Sequence, residues 1–578
     1  MANSIKKRGQ KIIRRLSRVS NKARAEGKEH IKENFLQRLS HVRSIRLLVL
    51  EWLLLAVILI VLSVAQAFWF ANSYAENVFV SGGSYVEATV GRVNSMNPLF
   101  ATTTSEKVLS RLMFATLTAT DSSGHPGVGL ANRITASEEG KVWKVRLREN
   151  LKWSDGEPLT IDDVLFTIGL VQNPAVPTVY GSNLSGVKVS VDETGEIVFT
   201  LPSAYADFAV ALEIPIVPKH ELEDAELKTL VEDDFSLAPV TSGAFVFNAR
   251  QTTSASDEEV IYLSANPYYY LNKPLLNSFA VHVYNEKSDV IAAINGGAVT
   301  ATAELTGLDA NKVTSSNFYR RETRIDAGVF MFMNTTSGAL KDASLRRTIR
   351  QGLDLTAIRE LAPGSEALDY PLLTSQIALS SYPAIPAYNH DAAADKIASI
   401  SGENQITLSI ATVNSGYLPV VAEEIKTELE SLGLNVVLTT YEETQEFVAN
   451  IVARRGYDIL IYEIEMGADP DLLPYYHSSQ ASTAGLNLSN YNNAMVDDLL
   501  VGARETLDND LRARKYETFL TYWVEDAPAI GLYQANMTYI YNKNVRTYDE
   551  NEVLVVELDR FMDVENWAAN KGTKNLTP

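Results

Sequence analysis

Chemistry in this chain would have to come from few residue types. It has seven histidines, at 30, 41, 125, 220, 282, 390 and 477, and no cysteine. Without cysteine there is no disulfide, no thiolate metal site, no Cys nucleophile and no lipid-modified N-terminal Cys. The histidines fall at no ligand-like spacing. His220-Glu221 begins the zinc pattern H-E-x-x-H, but Asp224 stands where the second histidine belongs. No G-x-S-x-G elbow, phosphate-cradling Gly-Lys loop or EF-hand loop occurs. Asp469-Pro470-Asp471 could pair carboxylates for acid–base work, but Asp before Pro favours a turn, so a turn-and-cap role is expected. The pattern points to a protein that binds rather than catalyses, with no cofactor and no metal.

The elements that would carry a binding site can be read from periodicity. Lys141 to Arg148 alternates Trp143, Val145 and Leu147 with cations, the signature of a strand with one buried face. Thr160-x-x-Asp163 forms a capping box that opens a helix, stopped at Asn173-Pro174, and hairpin alternation follows at Val187 to Val191 and Ile197 to Leu201. After residue 329 the rhythm changes. A strand at Ile406 to Ile410 leads to a helix with Val421, Ile425, Leu429 and Leu432, stopped by Gly433. A strand at Leu434 to Leu438, a helix around Phe447 and Ile451, and a strand at Tyr457 to Tyr462 complete a β-α-β-α-β run. Such a run implies a parallel sheet whose ligand sites lie beyond the strands' carboxyl ends, here the carboxylate-rich EIEMGADPD after Tyr462.

Charge and hydropathy set the topology. The net charge of −20 divides into +11 over residues 1–46 and −31 over the rest. The acidic body excludes a nucleic-acid partner, which needs clustered cations. From Leu47 to Phe70 runs a 24-residue stretch whose strongly polar members are Glu51 and Gln66. At ~1.5 Å per residue it spans the ~30 Å hydrocarbon core. The basic flank through Arg43 and Arg46 predicts a cytoplasmic N-terminus and an extracytoplasmic body. A cleaved signal peptide is the competing reading, since Ala65-Gln66-Ala67 fits signal peptidase. The leader, with Ile12, Ile13, Leu16 and Val19 among cations, reads as an amphipathic membrane-surface helix or as a solvated tail.

Read in order, several segments resemble the peptide/nickel-binding family of ABC-importer solute receptors, over about residues 83 to 545. These are VGRVNSMNPL (Val90 to Leu99), LRENLKWSDGEPLTIDDVLFTI (Leu147 to Ile168), SGAFVF (Ser242 to Phe247), LSANPYYYLNKP (Leu263 to Pro274), FMNT with LKDASLRRTIRQGLD (Phe332 to Asp354), and GYDILIYEIEMGADPD followed by YYHSSQ, NLSNY and DAPAIGLY. Most are structural: Asp155-Gly156 is read as a turn, Arg346 as packing on its helix, and Tyr268 to Tyr270 as an aromatic strand edge.

The resemblance implies an α/β, two-lobed periplasmic-binding-protein-like fold of the type II, three-domain cluster, behind an N-terminal transmembrane helix. Its expected parts are a leader (1–46), the membrane helix (47–70), a stalk (71–82), domain I (83–124, 239–328 and 527–562), domain II (125–238), domain III (329–526) and a C-terminal tail (563–578). Function follows by resemblance: a monomeric, membrane-anchored receptor captures an oligopeptide or dipeptide by main-chain pairing between closing lobes and delivers it to ABC permease subunits. The ligand contacts carried over are Thr102, Thr103 and Thr104 as one ladder, Tyr180 near the ligand backbone, and Glu463, Ile464 and Glu465 as the second ladder. The family's amine-binding Asp falls on Met466 or Gly467, so Glu463, Glu465 or Asp469 would have to replace it, or the ligand lacks a free amine. A nickel chelate, sugar oligomer or other small solute is the alternative cargo, and a ligand sensor the alternative role.

Overall fold

The structure, a computed structural model, describes residues 46–575 apart from 74, 138, 182–183, 254–257, 403 and 443–444. The expected leader helix lies outside the described residues. The chain divides into two units, residues 1–78 with 571–578, and residues 79–570.

In the first unit, α1 (Arg46–Ser73) is apolar on every side. Its window Leu48–Gln66 has a mean hydropathy of 2.8 and no buried residue, so its length and composition suffice to cross a membrane. It is followed by β1 (Ala75–Val80), which pairs with the C-terminal strand Asn570–Asn575. The stretch expected as a stalk is therefore helix and then paired strand, which satisfies backbone groups that an isolated stalk would leave to water.

The second unit opens with β2 (Ser84–Val90) and α2 (Thr104–Met113). A four-stranded antiparallel sheet follows, built from β3 (Ala131–Ala136), β4 (Val142–Leu147), β5 (Lys188–Val191) and β6 (Ile197–Thr200) in the order β3-β4-β6-β5. Trp143 and Val145 of β4 are buried while Lys144 and Arg146 are exposed, the alternation expected from the sequence. Between β4 and β5, α3 (Ile161–Val171) starts from the Thr160/Asp163 capping box.

The main sheet collects β7 (Phe245–Thr253), β8 (Glu258–Ala265), β9 (Ser278–Tyr284), β10 (Ala301–Thr302), β11 (Phe318–Met333), β12 (Thr407–Val413), β13 (Asn435–Tyr441), β14 (Ile459–Glu465) and β15 (Ala529–Asn542). Among the described residues it has eleven strands, ten of them in the order β13-β12-β14-β11-β15-β10-β2-β9-β8-β7. As the β-α-β rhythm predicts, β12 is parallel to both β13 and β14. The helix between β12 and β13 is α4 (Leu418–Ser431), and Gly433 just beyond it takes φ +93°. Two further helices, α5 (Ala494–Arg504) and α6 (Asn509–Asp526), pack on each other.

Two large cores lie along this sheet. One gathers β2, α2, the four-stranded sheet, β7 to β9 and the C-terminal residues Phe561 and Trp567. The other gathers β12 to β14, α4 and α6 around Phe332, Ile349 and Trp523. β11 and β15 run through both: Ile325 and Ala327 pack in the first core and Val329 to Met333 in the second, while Ala535 and Met537 belong to the first and Tyr533 to the second. The fold is thus α/β and two-lobed, with two strands passing between the lobes. Their ladder shifts register between Arg324 and Gly328, at the crossing. A Cβ on Gly328 would lie 2.5 Å from Leu368 Cδ2 and 2.7 Å from Phe330 Cε2, so no larger residue fits there without repacking. Trp567 is 0% exposed, so the first core extends past the residue 562 boundary expected from the sequence.

Two local expectations differ. Tyr268 to Tyr270 form a turn after β8 rather than a strand edge, with Lys152 over the Tyr268 ring and Arg148 over the Tyr270 ring. Cation–ring contact suits an exposed turn better than a core strand. Arg346 is buried as expected, and its guanidinium donates to the carbonyls of Leu340, Lys341, Asp526 and Ala527.

Candidate functional site

The carboxyl end of β14 meets the crossing strands. β14 is antiparallel to β11, with Ile464 opposite Gly328 and Glu465 opposite Ala327. Just outside this ladder Asn334 N–H donates to Asp458 C=O (2.8 Å) and Met466 N–H to Asp326 C=O (2.7 Å). Antiparallel pairs alternate, so the even-numbered residues of β14 exchange hydrogen bonds with β11. The main-chain groups of Glu463 and Glu465 consequently point away from β11, toward β12. β12 pairs with β14 at Ile459 and Leu460 and ends at Val413, which in that register faces Tyr462. Glu463 and Glu465 are exposed and Ile464 is half-buried. The Glu465 carbonyl accepts from the Tyr475 hydroxyl. The strand thus continues beyond Tyr462, past the end of β12.

The Thr102–Thr104 stretch has a different shape from the ladder expected there. Thr103 is the N-cap of α2, with Glu106 completing a capping box, and Thr104 is the first helical residue. The N–H groups of Asn94, Ser95, Thr102 and Thr103 all converge on the Glu106 carboxylate. Burial alone would raise that carboxyl, but the four donors outweigh it and hold it below the usual range. The amides of Thr102 and Thr103 are committed to this clamp and cannot also serve a ladder; any contact they make with a ligand runs through side chains or carbonyls.

Tyr180 lies in the loop after α3, half-buried, its hydroxyl pushed up to about 12 by burial and then by Glu213. Thr178 ties this loop to the 3-10 turn Pro98–Phe100 that precedes α2, donating to the Leu99 carbonyl at 2.9 Å. Glu557 brings the two remaining pieces together. Its carboxyl is raised by burial, lowered by Arg560, raised again by Glu465 and lowered by Lys287 and Lys107. Lys107 belongs to α2 and Glu465 to β14, so both lobes reach one carboxylate. Beside it Glu304 is raised to about 7 by burial and by Glu557. Neither Glu304 nor Glu557 was singled out in the sequence, because no local spacing links them to β14.

Asp469 is elsewhere. It is 7% exposed and ion-paired with Arg512 of α6. Its Oδ2 has no hydrogen-bond partner among the described residues, but a ligand ammonium would have to enter the interior to reach it, so Asp469 is the least suited of the three candidate amine partners. Asp471 accepts from Leu473 N–H and pairs with Arg504. The sequence reading of Asp469-Pro470-Asp471 as turn and cap missed both arginines. Met466 and Gly467, where the family's amine-binding Asp falls, give their N–H groups to Asp326 C=O, at 2.7 and 3.2 Å. Their carbonyls accept from Gln376.

Asp155, His220 and Glu221 bring three possible metal-ligating atoms within 4.8 Å of one another, the third from Asp155 rather than from a second histidine. His220 Nε2 already lies 3.0 Å from Asp155 Oδ2, and each side chain is about a third or more exposed.

Comparison with known proteins places this arrangement. Residues 125–486 match the model of the bacterial extracellular solute-binding proteins, family 5. The oligopeptide-binding protein AppA of Bacillus subtilis is 23% identical over 494 residues, covering 81% of this chain and 89% of AppA. The structure of the Bacillus subtilis AppA in complex with a nonapeptide superposes with a TM-score of 0.71 at 22% identity, over 85% of this chain and 99% of that one. NikZ of Campylobacter jejuni in complex with Ni(L-His) superposes with a TM-score of 0.70 at 22% identity, over 84% of this chain and 99% of NikZ.

Proposed function

Given that the chain belongs to the bacterial extracellular solute-binding proteins of family 5, we propose that it is the substrate-binding subunit of an ABC importer that captures peptides by their main chain. It binds and hands over its cargo and makes or breaks no bond. The observation that supports this most is the end of β14, which runs on past the end of β12 through the exposed Glu463 and Glu465, beside the strands that pass between the lobes. An extended peptide laid there adds a strand, and main-chain bonding gives affinity without reading sequence. The peptide-bound AppA that shares the fold supports the same cargo. Glu463 and Glu465 then meet the ligand's α-amino group, while Tyr180 and the Thr102–Thr104 turn line the facing lobe.

In this reading domain I comprises 83–124, 239–328 and 527–562 with Trp567 added, domain II is 125–238 and domain III is 329–526. α1 stays in the cell membrane with the N-terminus cytoplasmic, and the protein meets its permease as a monomer. Native mass spectrometry of the full-length protein, purified from its host in mild detergent, tests the cargo. A ladder of peptide masses is expected on the protein. A uniform non-peptide adduct would transfer the assignment to a metal chelate or another small solute.

A further inference from the structure

Residues 205–207 belong to the first core through their neighbour Phe208, yet they dock on the second lobe. Ala206 N–H donates to the Arg504 carbonyl at 2.9 Å. The Arg504 guanidinium sits over the Tyr205 ring, 5.3 Å from its centroid, while pairing with Asp471. Asp207 pairs with Arg512 at 2.5 Å. Arg512 lies on α6, whose Phe519, Leu520 and Trp523 form part of the second core.

The burial of this network is uneven. The Arg512 side chain is 3% exposed and that of Asp469 6%, so a cation and an anion of the second lobe pair with each other in its interior. Asp207, from the other lobe, is 37% exposed and sits at the rim. A buried guanidinium without a carboxylate would be strongly unfavourable. Asp469 removes that penalty whether or not Asp207 is present. When the lobes part, Arg512 keeps a partner and Asp207 passes into water, so the contact is built to break and re-form.

We propose that Arg512 is a releasable clasp: held ready by Asp469 within its own lobe, it engages Asp207 across the cleft and fixes the closed arrangement of the two lobes. Arg504 and Tyr205 flank it as a second contact of the same docking. Asp207 is thereby a positioning residue, acting on closure without touching the solute. The clasp rests on the reading that the lobes close on a solute, and it adds what sets the closed population: a solute contributes only its differential affinity for the closed state, and the clasp shifts the equilibrium on which that affinity acts.

The chain has no cysteine, so Glu193→Cys and Glu430→Cys, at exposed positions on the two lobes, can carry the only spin labels. Double electron–electron resonance on the full-length protein in nanodiscs would give the ratio of short to long interlobe distances, with and without a tryptic digest of casein. With Asp207→Asn the closed fraction is expected to fall at least fivefold relative to the labelled parent under the same condition. Asp207→Glu is expected to restore most of it. An unchanged closed fraction in Asp207→Asn, with an unchanged melting temperature as proof of folding, would overturn the clasp. A digest that moves neither protein's distances, while Asp207→Asn still differs from the parent, would overturn the peptide reading and leave the clasp standing.

Discussion

Three carboxyl groups carry a pH dependence that ordinary surface acids would not. Burial is the first cause in each: Glu304 and Glu552 are raised to about 7 and Asp326 to about 6. Neighbouring acids add to the effect, Glu557 for Glu304 and Asp563 for Glu552. In the unfolded chain these groups titrate near 4. Between pH 5 and 8 the folded protein therefore binds more protons than the unfolded one. Stability from these groups is complete below the unfolded values and is lost as pH rises through 6 to 7. The melting temperature is accordingly expected to be higher at pH 5.5 than at pH 8, measured by scanning calorimetry in matched ionic strength. A melting temperature that rises with pH across this interval would refute the assignment of these three groups.

At the scale of the element, Gly328 is where the sheet passes from one core to the other. The register shift lies beside it, and the 2.5 Å approach of Leu368 Cδ2 to its missing Cβ means that neighbouring side chains must shift to admit a side chain. Gly328→Ala should cost about 1–3 kcal/mol through overpacking, read as a lower midpoint in urea denaturation with an unchanged slope. No loss would mean that the crossing is looser than these contacts indicate.

Elements of this kind were readable from sequence where one local rule decided them. Thr160 and Asp163 form the capping box their spacing predicts, and Gly433 takes the positive φ that ends α4. Thr103-x-x-Glu106 carries the same capping signature, so the clamp at the start of α2 was equally legible. The family resemblance drew that stretch toward a strand ladder instead. The turn at Tyr268 to Tyr270 was missed for a related reason: three tyrosines look like strand residues until Arg148 and Lys152, distant in sequence, cover their rings.

At the scale of the whole molecule, the two lobes are joined by β11 and β15 and meet again where residues 205–207 dock on α5 and α6. The first junction could be anticipated from the change of rhythm after residue 329. The second could not, because Arg512 finds its partners 43 and 305 residues away, and no periodicity spans such separations. The same limit hid Glu557, on whose carboxyl Glu465 acts only after the lobes have packed, and Glu304 beside it. Local patterning thus conveys the strands and helices that carry the cleft, while the charges that tune it emerge from tertiary packing.

Peptide capture along the end of β14 beyond Tyr462 is the claim on which the rest depends, and hydrogen exchange with mass spectrometry probes it most directly. Full-length protein incubated with a tryptic casein digest should show slowed exchange in peptic fragments covering residues 459–467, with the bound peptide seen in the same sample. A bound peptide that leaves exchange in this segment unchanged, or a digest from which nothing binds, would contradict the account.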